Sequence, residues 1–140
     1  MADLRRDFYL PEDDVQYLDG LNLEWEAIQE GNARGIILYG FLMPQPFQPE
    51  KLNLKIKVPQ DYSSGAALDM FFTDVHITRT DGKGIERLTE SAVFNGKRWW
   101  QWSRHYPKDT KWRPGINTLA THISYVHHIL DEEAGGKLWT

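Results

Sequence analysis

Residues 51–59, "KLNLKIKVP", constrain the fold of this chain more than any other stretch. Leu52, Leu54, Ile56 and Val58 alternate with Lys51, Asn53, Lys55 and Lys57. Only a β-strand, whose side chains point to opposite faces at every second residue, sorts such a pattern into an apolar and a polar side. One dry and one wet face is the signature of an antiparallel sheet, because parallel sheets are covered on both faces and read as continuous apolar runs. Pro59 closes the strand, since proline brings no N–H to a ladder.

The neighbouring segments extend this sheet. "GIILYGFLMP", from Gly35, is a β-rich apolar run stopped by "PQPFQP", whose prolines cannot sit in a central strand. "QDYSSGAA" is a loop by composition, and "LDMFFTDVHI" follows as a third strand. Residues 79–90, "RTDGKGIERLTE", are polar and rich in turn formers, which predicts a mobile excursion.

Helices are expected at both ends. In "LPEDDVQYLDGLNLEWEAIQEGN", Pro11 and three acids stand where the positive end of a helix dipole favours them. Val15, Leu18, Leu21, Trp25 and Ile28 recur at helical spacing, with Gly20 splitting the segment into two short pieces. Leu119, Ile123, Val126 and Leu130 form a second apolar stripe after Pro114 and Gly115. Residues 1–9 carry no clear period and read as a tail that frays or lies along the surface, leaving 10–140 as a single domain. The order is helix, about three strands, an irregular tryptophan-rich segment and a helix, an α+β arrangement.

Charge and cysteine content narrow the function. With 16 basic against 20 acidic residues and no basic run longer than Arg5 and Arg6, the concentrated positive face that nucleic-acid binding needs is missing. No stretch approaches the roughly 20 apolar residues that span a bilayer, and no leader is visible, so the expectation is a cytoplasmic protein with no membrane partner. The chain has no cysteine, which removes disulfides, thiolate metal sites and thiol nucleophiles together.

That absence matters most at "FNGKRWWQWSRHYP", residues 94–107. Strand alternation there would place Trp100 and Trp102 on one side and Trp99 on the other. Packing is the default use of such large side chains. Alternatively, two tryptophans on one face beside Trp112 would line a groove for a partner's extended segment.

In order and spacing these segments resemble the ubiquitin-conjugating enzymes. "LNLKIKVPQDYSSGAALDMFFTDVHI", with Pro59 and Tyr62, resembles their strand meander up to a histidine; "FNGK" resembles the lead-in to the active site, and "KWRPGINTLATHISYVHHIL" the "W-x-P" turn and following helix. Leu10 to Leu18, "LDMF" at Leu68 to Phe71 and "WSRH" at Trp102 to His105 resemble a bacterial branch, the prokaryotic ubiquitin-conjugating-enzyme-like family E, over about Leu10 to Leu130. The resemblance implies an α+β fold with an N-terminal helix, an antiparallel meander and a C-terminal helix. It also implies a place in a bacterial ubiquitin-like modification pathway. The partners it implies are a ubiquitin-like protein and a ubiquitin-activating-enzyme-like protein.

The departures are as informative. The paired prolines after Tyr62 are missing, "H-P-N" has become His76-Ile77-Thr78, and the catalytic cysteine is gone. Counted forward from "N-G-K" its position falls on Trp99; counted back from Trp112 it falls on Arg104, next to Ser103. Thioester chemistry is excluded. Two readings follow. In one the chain is a cysteine-free binding or adaptor module for the ubiquitin-like protein or its activating enzyme, with Trp99, Trp100 and Trp102 as candidate contacts. In the other it is a transferase that carries the ubiquitin-like protein as an oxyester, with Ser103 the nucleophile, His105 its base and Arg104 an orienting cation. Ser103 as a turn residue, His105 as a surface histidine and Arg104 as the partner of an acid are the structural alternatives. No cofactor is expected, and no metal: His122 and His127 or His128 lie five or six apart, not the four that one helix face uses, and Asp69, Asp74 and Asp81 show no acid–base spacing.

Overall fold

In the computed structural model the structure describes residues 3–62 and 64–135. The first two residues of the expected tail, Ser63 of the expected loop and the last five residues of the expected domain lie outside them. The elements are α1 (Glu12–Gly20), β1 (Trp25–Glu30), β2 (Ala33–Leu42), β3 (Phe47–Gln48), β4 (Lys51–Lys57), β5 (Phe71–Thr73), β6 (Thr78–Arg79), β7 (Leu88–Phe94), β8 (Lys97–Trp102) and α2 (Leu119–Glu133). Six strands form an antiparallel sheet in the order β1-β2-β4-β5-β8-β7, and β3 pairs with β6 beside it. The architecture is the α+β one that the resemblance implies.

The apolar side of β4 lies where alternation put it: Leu52, Leu54, Ile56 and Val58 are buried in the main core. The stripe on α2 joins them there, and Leu18 of α1 is fully buried in the same core. Both helices therefore cover one face of the sheet.

Three expectations are corrected. The second helical piece is instead β1, paired antiparallel with β2 from Trp25 opposite Leu38 to Glu30 opposite Ala33. Asn22, at a left-handed φ of 60°, breaks the chain direction after α1, and the edge of β2 offers backbone groups that β1 satisfies. Residues 79–90 are not a free excursion, because Arg79 is buried and bound to Asp81 and to the Glu133 carbonyl, and β7 begins at Leu88. The tryptophan-rich segment is not irregular: it is β8, joined to β7 by Asn95 and Gly96 at φ 54° and 72°, the two left-handed residues of a tight hairpin turn.

That hairpin covers the other face of the sheet. Its tip crosses to β1, where the Asn95 N–H donates to Glu30 Oε1 at 3.0 Å and Arg5 donates to Asn95 Oδ1 at 3.3 Å. Under it lies a second core of Ile28, Ile37, Phe72, Phe94 and Trp99. The face of β4 expected to be wet is thus partly dry, and Lys55 is only 9% exposed, with its ammonium 4.3 Å from the Phe72, 4.6 Å from the Phe94 and 5.4 Å from the Trp99 ring centroid. Upstream of α1, residues 5–7 lie along β1, with Asp7 N–H donating to the Ala27 carbonyl at 2.7 Å and Ala27 N–H to that of Arg5 at 3.0 Å.

Candidate functional site

Of the sequence-predicted site residues, Trp99, Trp100 and Trp102 lie on β8 and Ser103, Arg104 and His105 follow directly on it; two elements hold the latter segment, the β5 approach at 69–70 and one side of α2. One of the three α1 acids meets the start of α2. Glu12 and Asp13 are exposed, but Asp14 turns inward, 1% exposed, and accepts from Tyr62 Oη at 2.7 Å and from the Leu119 N–H at 3.1 Å. Its carboxylate therefore meets the first turn of α2, whose free N–H groups and dipole favour a negative charge. Burial, followed by the bond to Asp14, pushes the Tyr62 phenol well above its ordinary value.

Trp102, fully buried, stacks on Phe71 with centroids 5.0 Å apart and meets Phe47 edge-on at 6.0 Å. Trp99, 2% exposed, lies on the opposite face and donates its indole N–H to the Phe94 carbonyl at 2.9 Å. Both are packing residues, each central to one of the two cores, so neither is a surface contact. Trp100, half-buried, stands 6.0 Å from the His76 ring and is the one tryptophan of the three with a surface to offer.

Beyond β8 the predicted trio diverges. Ser103 Oγ accepts from Gln101 Nε2 at 2.8 Å, and the Ser103 N–H donates to the Arg87 carbonyl at 3.0 Å. No hydrogen bond joins Ser103 to His105 among the described residues. Arg104 reaches the end of α2, where its two terminal nitrogens lie 2.7 Å from Glu133 and 3.0 Å from Glu132, with its side chain 13% exposed. A guanidinium spent on two carboxylates orients no incoming group; it fastens the post-β8 segment to the helix, where the cation also complements the dipole.

His105 has a different partner from the one proposed by proximity in sequence. Its Nδ1 lies 2.6 Å from Asp69 Oδ2, and its carbonyl accepts from Tyr125 Oη at 2.6 Å. Tyr106 stacks on Tyr125 with centroids 4.1 Å apart and donates from Oη to His122 Nδ1 at 2.7 Å. His122 Nε2 in turn meets the Met70 carbonyl at 2.7 Å, and since a carbonyl only accepts, Nε2 carries the proton and Nδ1 is the acceptor. Burial holds His122 below its ordinary value, in keeping with a neutral imidazole. Burial likewise raises the Tyr106 phenol. Met70 sits at a left-handed φ of 57°, a costly conformation for a side chain of its size, and is fixed there by Asp69 Oδ1 on its N–H at 3.1 Å and His122 on its carbonyl.

Asp69, Tyr106, His122 and Tyr125 were the residues sequence reading did not assign. A partial signal existed on α2, where His122 and Tyr125 stand three apart and share a face. The other helix histidines are engaged elsewhere, His127 against the Phe41 ring at 5.4 Å and His128 on Glu132 at 3.3 Å.

A family model described as prokaryotic E2 family E matches residues 10–133. No curated protein and no solved structure matches the chain.

Proposed function

Because the chain belongs to the prokaryotic E2 family E, and is therefore a ubiquitin-conjugating-enzyme-like component, we propose that it works as a cysteine-free adaptor, docking a ubiquitin-like protein or the enzyme that activates it. The observation that carries this reading is the state of the segment after β8. A serine becomes an acyl acceptor only when an adjacent base takes its proton. Ser103 Oγ has Gln101 as its hydrogen-bonding neighbour, an amide that accepts no proton at neutral pH. Arg104, the candidate cation, is neutralised by Glu132 and Glu133. Trp100 beside His76 is the tryptophan this reading assigns to a partner surface.

The test is an adduct and binding experiment with a cognate ubiquitin-like protein and its activating enzyme, in the presence of ATP. The expected result is measurable binding to one of them by calorimetry, with no denaturant-stable mass shift on this protein. An adduct that resists thiol reductant, is cleaved by mild alkali and disappears in Ser103→Ala would overturn the adaptor reading in favour of an oxyester-forming transferase. Because no helix in the described residues is long and apolar enough to cross a membrane, the experiment is set up in solution.

A further inference from the structure

The side chains that hold the post-β8 segment leave one functional group unspent. His105 is exposed, its Nδ1 is taken by Asp69, and Nε2 makes no hydrogen bond among the described residues. A carboxylate facing Nδ1 fixes the proton on that nitrogen and leaves the Nε2 lone pair pointing outward, the form of imidazole able to take a proton from something else.

Both members of the pair are held from behind. The His105 carbonyl is gripped by Tyr125 Oη at 2.6 Å, and the preceding Arg104 is clamped to Glu132 and Glu133. Asp69 is aimed by the left-handed turn at Met70, whose N–H and carbonyl are both bonded. A strained residue and a relay from half-buried Tyr106 to buried His122, which together position an exposed carboxylate, are more than a surface ion pair requires, since such pairs contribute little to stability.

We propose that His105, positioned by Asp69, is a general-base site for acyl transfer, acting on water or an amine that attacks an activated ester or thioester presented from outside the chain. The nucleophile's lone pair forms the new bond to the acyl carbon while its proton passes to His105 Nε2. The carbon–oxygen or carbon–sulfur bond then breaks, and the proton moves from Nε2 to the departing alkoxide or thiolate. No oxidant, cofactor or covalent adduct on this chain is needed, so the site is independent of whether the protein docks its partners as an adaptor. Ser103 takes no part in it.

The experiment follows hydrolysis of ethyl dichloroacetate at pH 7.5 by the full chain. Attack on this ester by an imidazole nitrogen is unproductive, because the alkoxide leaves less readily than the imidazole, and the assay therefore reports general-base action. The expected result is a rate about tenfold above that of an equal concentration of N-acetylhistidine amide, less than the roughly 10²–10⁴-fold of a base positioned on a bound substrate because this small ester is not held by the site, with a solvent deuterium isotope effect. His105→Ala should remove that excess and Ser103→Ala should leave it unchanged. Asp69→Asn supplies the readout that a merely structural role would not move. Nitrogen NMR of His105 should show the Nδ1-protonated tautomer in the native protein and a shift toward the Nε2-protonated form in the variant, with a parallel fall in rate. A native rate no greater than that of the free amide, or a His105→Ala rate equal to the native one, would overturn the proposal, as would an Asp69→Asn protein with unaltered tautomer and rate.

Discussion

Replacing Lys55 by methionine should make this protein more stable at neutral pH. Lys55 lies under the β7–β8 hairpin, 9% exposed, among the rings of Phe72, Phe94 and Trp99, and forms no ion pair among the described residues. Burial, with the nearby charge of Lys57 adding to it, brings its amine from 10.5 to about 8. A depression of that size corresponds to about 3 kcal/mol by which the fold disfavours the ammonium. The three rings return part of this, at about 0.5–1 kcal/mol each for a cation over an aromatic face. Methionine keeps the length of the stem and removes the charge, so the expected gain is about 0.5–1.5 kcal/mol at pH 7 once the ring contributions are subtracted, read as a higher urea midpoint with an unchanged slope.

The dependence on pH separates this cause from any other. Below pH 8 the amine is protonated in both folded and unfolded chains, and the full penalty applies. Between about pH 8 and 10.5 the folded protein has released a proton that the unfolded chain still holds, so native stability rises with pH across that window. Lys55→Met lacks this increment while sharing every other titrating group, and its advantage should shrink and vanish by pH 10. A variant less stable than the native protein at pH 7, or a difference independent of pH, would show that the aromatic cage outweighs desolvation and refute the reasoning.

Other substitutions probe the supports of the site. Asp14→Ala leaves Tyr62 Oη and the Leu119 N–H without their acceptor, which should cost about 3 kcal/mol and lower the melting temperature measured by circular dichroism. Gly35→Ala would place a methyl group 3.0 Å from Phe94 Cε2 and 3.1 Å from Cζ; the expected loss is about 1–3 kcal/mol, and a double-mutant cycle with Phe94→Leu should recover most of it. Tyr106→Phe removes the donor to His122 Nδ1, and about 1–2 kcal/mol of destabilisation in urea titration is expected from the buried acceptor left unpaired.

The sequence by itself determined the parts of this protein that depend on local period and on composition. Alternation in 51–58 fixed which side chains of β4 enter the main core, and the stripe from Leu119 to Leu130 fixed the buried face of α2. The lack of cysteine excluded a thioester formed on this chain on composition alone, since no arrangement of the remaining side chains supplies a thiol. The hairpin of β7 and β8 was not among these parts: the segment read as irregular, although Asn95 and Gly96 hold the left-handed φ values of a tight turn.

Tertiary structure decided whatever depended on a neighbour distant in the chain. Trp25 and Ile28 fit a helical stripe, but Trp25 and Ala27 also fit a strand, and only pairing with β2 resolves the two periods. Alternation told which way Lys55 points and was silent on whether a second layer lies there, because Phe94 and Trp99 come from a hairpin folded back across the sheet. The site divides in the same way. Ser103, Arg104 and His105 are adjacent in sequence, yet their partners are Gln101, the Glu132–Glu133 pair and Asp69. Proximity along a chain constrains where side chains begin; hydrogen-bond partners depend on where they end, and that is set by the packing of α2 and the β5 approach around them.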